Sequence, residues 1–361
     1  MRLAFIKFFV VFLTIYGSAQ WPLYHLVART FGLVSPWTHG VKVFFVLSSA
    51  LFLLVRTTPF SWKPLAWWAD IWFGVVFIAF SFWLIQLIPA LIWRPQARAL
   101  DAAALVLTAL VSVLSLVHGL MLPRPKPIPL SIPGAPPMTV VQLSDIHLNR
   151  WTSTDRLESY IRTTLDAKPD LIVITGDLTD ERDGRLDFLI PSLRKLKAPL
   201  GVYAIPGNHE FYTGLERVAD LMQKSGIRFL RNESLDLPNG WILAGIDDPA
   251  AREMRLPYVR PAEFFKTLPQ GRPILFMNHR PLDWTAARAA GVNLQLSGHL
   301  HAGQIPPMDA IVFMGFKYPY GLYEKDGAYL YTTSGTGFWG PPMRLFVGAE
   351  IPVFRINTLE R

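Results

Sequence analysis

Leu143-Ser144-Asp145-Ile146-His147-Leu148 follows directly on a run of β-formers beginning at Met138, and it places a carboxylate and an imidazole two residues apart where a strand should end. From an extended backbone, side chains at i and i+2 leave on the same side. A strand end built this way presents two ligands to one metal ion. By itself an Asp-x-His pair is weak evidence, since such pairs occur by chance and commonly mark a turn. Its weight comes from partners further down the chain.

Four further blocks occur in order: Gly176-Asp177 with Asp180, Gly207-Asn208-His209-Glu210, Asn278-His279, and Gly298-His299-Leu300-His301. Each comes after a short apolar run bounded by turn residues, at 171–175, 202–205, 274–277 and 294–297. Buried strands of an α/β sheet have this pattern, and ligands gather at their carboxyl ends. The chain has eight histidines, and five of them (147, 209, 279, 299 and 301) lie in these blocks. Histidines scattered through a core would not concentrate so. The blocks point to a metal site, and Gly176, Gly207 and Gly298 are expected to let the chain turn sharply at each strand end.

In this order the blocks resemble the signature of the calcineurin-like metallophosphoesterase superfamily, D-x-H, G-D-x-x-D, G-N-H-[DE], H and G-H-x-H, with every ligand position filled. The resemblance runs from about Thr139 onward. The tail around Gly335-Thr-Gly-Phe-Trp-Gly-Pro-Pro-Met-Arg-Leu345 and Glu350-Ile-Pro352 is similar to the membrane-associated bacterial branch of that superfamily. The resemblance implies a four-layer α/β sandwich, two mixed sheets flanked by helices. It assigns Asp145, His147 and His301 to one divalent ion, Asn208, His279 and His299 to a second, and Asp177 to both. A ligand set of oxygen and nitrogen without sulfur suits Mn²⁺, Fe²⁺ or Zn²⁺. Such a pair clamps the attacking and leaving oxygens of an in-line phosphoryl displacement and lowers the pKa of a bridging water, whose hydroxide attacks phosphorus.

The resemblance makes His209 the acid for the leaving group or a donor to a non-bridging phosphate oxygen. Asp180 and Glu210 are expected to orient ligand imidazoles or amides. Arg280, beside His279, is either a phosphate contact or an ordinary solvated arginine. Arg252, Arg255 and Arg260 of the 247–261 loop are expected as exposed charge, and Trp339, Pro341 and Pro342 as an apolar wall near the site.

Composition divides the 361 residues sharply. Residues 1–123 carry two acidic groups, Asp70 and Asp101, against eight Lys/Arg, while the remainder holds 25 Asp/Glu against 27 Lys/Arg. Most of the net charge of +8 therefore sits in the apolar first third. The second domain shows no basic stripe with interleaved aromatics, so nucleic acid is not an expected partner. The absence of cysteine excludes disulfides and thiolate metal sites.

Charge-free apolar spans run over 8–28, 43–55, 71–93 and 102–123. The last two exceed the roughly 20 residues that cover a hydrocarbon core of about 30 Å. Trp37, Trp67, Trp68 and Trp93 fall near span ends, where interfacial aromatics belong. Four membrane helices over 1–123 are expected, so the lipid bilayer is the first partner and a multi-pass protein of the inner cell membrane the expected location. A cleaved signal peptide is the alternative for the first span, which follows Arg2 and Lys7. With the N-terminus inside, inner segments hold six Lys/Arg and outer loops four, which favours a cytoplasmic second domain.

Seven prolines between Leu122 and Pro137 predict an extended polyproline II linker over 124–137, able to hold a domain at 138–361 up to roughly 40–50 Å from the bilayer. Beyond it, helices are expected over 155–167, 186–196 (bent near Pro191), 215–225, 262–267 and 283–290. Further strands are expected over 241–246, 311–313, 329–332 and 353–356. Alternation of this kind indicates α/β layers.

The expected function is a membrane-anchored dinuclear phosphohydrolase acting on a phosphate ester or diphosphate. Tethering would favour a lipid-linked substrate of the UDP-acylglucosamine type. Two alternatives stand beside it: a phosphodiesterase or nucleotidase with a soluble substrate, and a transporter or sensor carrying a regulatory phosphoesterase module. Against the transporter, the apolar spans contain no acidic residue, and only Asp70 and Asp101 border them.

Overall fold

The computed structural model describes residues 2–57, 62–148, 153–180 and 186–359. The chain forms two compact units. One comprises Met1–Met121 together with two later segments, Gly303–Ile311 and Gly340–Val347; the other holds Leu122–Ala302, Val312–Trp339 and Gly348–Arg361.

The first unit is built on four long helices, α1 (Arg2–Phe31), α2 (Trp37–Thr57), α3 (Lys63–Ile92) and α4 (Ala97–Leu120). Pro64 lies in the first turn of α3, where a missing N–H leaves no bond unmade. Tyr16, Leu23, Phe45, Phe52 and Val76 form the buried seam between α1, α2 and α3. Elsewhere Ile85, Ile88 and Val106 stand exposed, apolar surface that a water-facing bundle would cover. Among the described residues α2, α3 and α4 are long and apolar enough to cross a membrane. The side chains of residues 2–13 of α1 lie outside the described residues.

The second unit packs two six-stranded mixed sheets face to face. The first has the order β1 (Arg124–Pro133), β12 (Glu350–Leu359), β2 (Met138–Leu143), β3 (Leu171–Ile174), β4 (Val202–Ala204), β5 (Arg228–Phe229). The second runs β10 (Gly321–Lys325), β11 (Ala328–Thr332), β9 (Val292–Ser297), β8 (Ile274–Met277), β7 (Ile242–Gly245), β6 (Glu233–Asp236). Strands β2 to β5 are parallel, as are β7, β8, β9 and β11.

Period-two alternation sorts each central strand between two cores. Leu171 and Val173 of β3 face the other sheet, with Leu243, Leu275 and Leu294. Ile172 and Ile174 face outward against α5 (Thr154–Asp166) and α8 (Leu215–Ser225), which contribute Leu157, Ile161, Val218 and Leu221. Both faces are covered, so these strands read as continuous apolar runs. Around them lie the shorter helices α6 (Ile190–Leu193), α7 (Asn208–Thr213), α9 (Ala250–Glu253), α10 (Pro261–Phe264), α11 (Trp284–Ala289) and α12 (Met308–Gly315). Helix α5 begins at Ser153, whose Oγ accepts from Arg156 N at 3.2 Å. Helix α8 stops at Gly226, in the left-handed conformation.

Three expectations fail. The expected linker is strand β1, paired in parallel with β12 from Arg124 to Pro133, so it cannot act as a spacer. Its prolines at 125, 127, 129 and 133 share one phase of the strand, while Arg124 N, in the other phase, donates to Ala349 O. On an edge strand the missing N–H groups then face away from the partner. The intervening Ile128, Leu130 and Ile132 are buried. The segment expected as a strand over 311–313 is helix α12, nucleated after Pro306-Pro307 and ended at Gly315. The helix expected over 186–196 is only a 3₁₀ turn, Asp187–Leu189, followed by the four-residue α6, because Pro191 must sit in a first turn.

Candidate metal centre

The site lies where β2, β3, β4, β8 and β9 end. Asp145 and His147 do not leave an extended strand as expected. Both are in the left-handed region, at φ 51° and 49°, as are Asp177 (52°), His299 (71°) and His301 (50°). Such a conformation costs about 1–3 kcal/mol for each non-glycine residue and persists only where surroundings enforce it. Here backbone bonds enforce it: Asp145 N donates to Gly176 O and His147 N to Asp177 O, each at 3.0 Å. His299 N donates to the Asp145 carboxylate at 2.9 Å. The glycines also work differently from the expectation. Gly176 has positive φ, but Gly207 and Gly298 are needed for close approach: a Cβ would strike the Asp177 carboxylate at one and the Asp145 carboxylate and Ser144 hydroxyl at the other.

Three groups of ligand atoms converge, each within 4.8 Å: Asp145, His147 and His301; His147, Asp177 and His209; Asp177, His279 and His299. Nε2 of His147 and Nε2 of His301 are 3.0 Å apart. That is the spacing of neighbouring ligands around one ion at bond lengths of about 2.0–2.1 Å. Asp177 Oδ2 lies 3.8 Å from His147 Nε2 and 3.2 Å from His279 Nε2, so one oxygen faces both ends of the cluster. Asn208 Oδ1 joins at 3.2 Å from His279 Nε2. Buried oxygen and nitrogen donors arranged in this way fit divalent transition metals.

The groups behind these atoms fix their direction. His279 Nδ1 donates to Thr175 O at 2.8 Å, which leaves Nε2 toward Asp177. Asp180 Oδ1 accepts from Nδ1 of both His147 (2.8 Å) and His209 (2.6 Å). Glu210 accepts three backbone N–H groups, of Gly207 (2.7 Å), Asp177 and Leu178 (2.8 Å each), and so ties the β4 loop to the β3 loop. Arg280 is gripped by the buried Asp248 through two bonds of 2.8 and 2.9 Å. Arg252, Arg255 and Arg260 are exposed.

Burial and mutual charge set the protonation of the metal-free cluster. Burial alone would lower His279, but Asp177 and Asp145 outweigh it and push it up to about 10. Burial would likewise lower His209, yet Asp180 and Asp177 raise it to about 9. Burial favours the neutral acid at Asp180, but His147 and His209 hold its carboxyl well below the usual range. Asp145 is raised by burial, with Asp177 adding to the effect. His299 is lowered by burial and by the positive neighbours His279 and Arg280.

Sequence reasoning missed Tyr212, whose ring lies 5.6 Å from that of His209. Its signal was present: it follows His209 by three residues in a helix, where side chains are neighbours. Trp339, expected near the site, stands 6.4 Å from the His209 ring.

A two-sheet sandwich with carboxylates and imidazoles gathered at its strand ends defines a metal-dependent phosphoric ester hydrolase. Residues 138–303 match the family described as calcineurin-like phosphoesterase, and the chain belongs to that family. It is 34% identical to the uncharacterized metallophosphoesterase YkuE of Bacillus subtilis over 61% of this chain and 79% of that one. A transmembrane protein with metallophosphoesterase domain from Danio rerio is 30% identical, over 83% of this chain and 75% of that one. An uncharacterized metallophosphoesterase of Campylobacter jejuni, Cj0846, is 28% identical over 98% of this chain and 99% of its own length.

Proposed function

We propose that the chain is a membrane-anchored phosphohydrolase with two divalent ions, cleaving a phosphate ester or diphosphate carried on a lipid. The observation that carries the two-ion reading is Asp177 Oδ2, placed between His147 Nε2 and His279 Nε2. Asp145, His147 and His301 would hold one ion, Asn208, His279 and His299 the other, with Asp177 common to both. When bound, the ions supply Lewis-acid polarisation of the phosphoryl group and a lowered pKa for the attacking water.

His209 supplies the proton. Asp180 holds Nδ1 at 2.6 Å, which directs Nε2 away from the carboxylate. The Asp180 carboxylate favours the protonated ring, whose Nε2–H can donate to the departing oxygen. Tyr212 and Trp339 flank that ring and limit how the leaving group approaches.

The lipid-linked substrate is supported by α2, α3 and α4, long and apolar enough to span a bilayer. Tethering confines the site near the surface and raises the effective concentration of a membrane-borne ester. The bias of Lys/Arg toward the inner segments supports a multi-pass inner-membrane protein with a cytoplasmic catalytic unit. A Mn²⁺-reconstituted screen of the detergent-solubilised protein tests the reading, with bis-p-nitrophenyl phosphate, nucleotides and UDP-linked lipids as substrates. Preference for nucleotides over every lipid would replace the lipid substrate with a soluble one.

A further inference from the structure

Five large apolar side chains stand exposed within nine residues of the chain: Met308, Ile311, Phe313, Met314 and Phe316. They belong to α12 and the residue just beyond its end, and the only buried side chain on that helix is Val312. Met314 is 81% exposed. In the second unit, exposed apolar residues such as Phe188, Leu256 and Leu282 are scattered, which is ordinary for a folded surface. A run this dense, with Asp309 its only charge and Lys317 directly after it, is instead an exposed apolar patch of the kind that marks a membrane or protein contact.

The start of α12 is fixed to the membrane-type helices. Gly303–Ile311 and Gly340–Val347 are part of the helical unit. Ile305 and Met343 form a buried cluster with Ile78, and Phe82, Val111 and Leu116 pack against it. Gly74 of α3 leaves room for this packing, since a Cβ there would meet the Met343 sulfur and come within 3.2 Å of Pro341 Cβ. Arg344 N donates to Ser115 O at 2.9 Å, and Leu345 N to Gln304 O at 2.9 Å. In the second of these segments Phe346 is 73% exposed. Both segments also adjoin the metal centre along the chain: His301 precedes Met308 by seven residues, and Trp339 precedes Phe346 by seven.

We infer that α12, with Phe346, is a non-spanning element seated at the boundary between lipid headgroups and acyl chains. Continuity with the membrane-type helices identifies the occupant of its apolar face as the bilayer. Lys317 reaches the headgroup layer and favours an anionic one. The inference rests on the membrane-anchored reading.

The chain has no cysteine, so single labels are unambiguous. Met314→Cys and Leu256→Cys in the full chain are labelled with a polarity-sensitive fluorophore. Both are reconstituted into phosphatidylethanolamine–phosphatidylglycerol vesicles, with and without lipids spin-labelled on the acyl chain. The label at 314 is expected to be quenched several-fold more by the spin-labelled lipid than the label at 256, and to be shielded from aqueous iodide. Equal iodide quenching at both positions overturns the inference. So does shielding at 314 that depends on protein concentration and ignores the spin-labelled lipid, since a second copy then covers the face. Neither readout requires turnover, so failure of the substrate reading and failure of this inference are observed separately.

Discussion

Asp177 Oδ2 stands 3.2 Å from His279 Nε2, and the same oxygen is the one nearest His147 at the opposite end of the cluster. In the two-ion proposal this one oxygen would be shared by both ions. The other oxygen of Asp177, Oδ1, accepts the backbone N–H of His209 at 2.9 Å, which favours this orientation of the carboxylate.

Asp177→Asn keeps this shape and removes the charge. Both ions should weaken, so the metal content of the purified protein falls from close to two toward zero. Turnover should fall by more than the about 10–100-fold typical of losing a partner that merely orients a ligand. Elemental analysis beside initial rates checks it; full occupancy with near-normal turnover would exclude the shared role.

Asp180 joins His147 and His209 through one oxygen. Asp180→Asn should lower metal affinity and turnover by about 10–100-fold each, the range for a partner that orients a ligand imidazole. Because the same change frees His209, its effect on turnover and that of His209→Ala should not add. A double-mutant cycle on turnover measures the coupling; strict additivity would mean that Asp180 serves His147 alone.

Metal removal should soften the second unit. Asp145 and Asp177 are buried, and Asp177 is one cause of the raised Asp145 pKa, so without ions their charges are neutralised only by nearby histidines. A ligand that binds only the folded state stabilises it by about 2.7 kcal/mol at a hundred times its dissociation constant. For a unit of this size, that corresponds to a rise of roughly 5–10 °C in unfolding midpoint. Thermal scans of the detergent-solubilised protein with chelator and with saturating Mn²⁺ test it, and identical midpoints would argue that no ion binds the folded state.

Much of the fold was legible because the residues that carry chemistry also punctuate the strands. The five blocks fall at strand ends in chain order, and the runs before them become β2, β3, β4, β8 and β9. The left-handed conformation of Asp145 and His147 was not legible, since it depends on backbone bonds to Gly176 and Asp177, about thirty residues away. Strand β1 was hidden by its prolines, which exclude a central strand but not an edge paired with the last strand of the chain. Helix α12 was mistaken for a strand because Ile311, Val312 and Phe313 are good β-formers, and local propensity cannot report an apolar helix with most of its surface uncovered.

His209 separates proton donation from metal binding. It shares a group of ligand atoms with His147 and Asp177, yet its Nδ1 is committed to Asp180. If it is no ligand, His209→Ala leaves the metal content intact while turnover falls by about 10²–10⁴-fold, the usual contribution of a positioned acid. The loss should then depend on what leaves. A p-nitrophenolate departs readily without a proton, so bis-p-nitrophenyl phosphate should suffer several-fold less than an ester whose leaving group is an alkoxide. Equal losses on both would mean that the imidazolium stabilises charge on the phosphoryl oxygens instead. Loss of an ion would place Nε2 of His209 on a metal and remove the proton donor from the scheme.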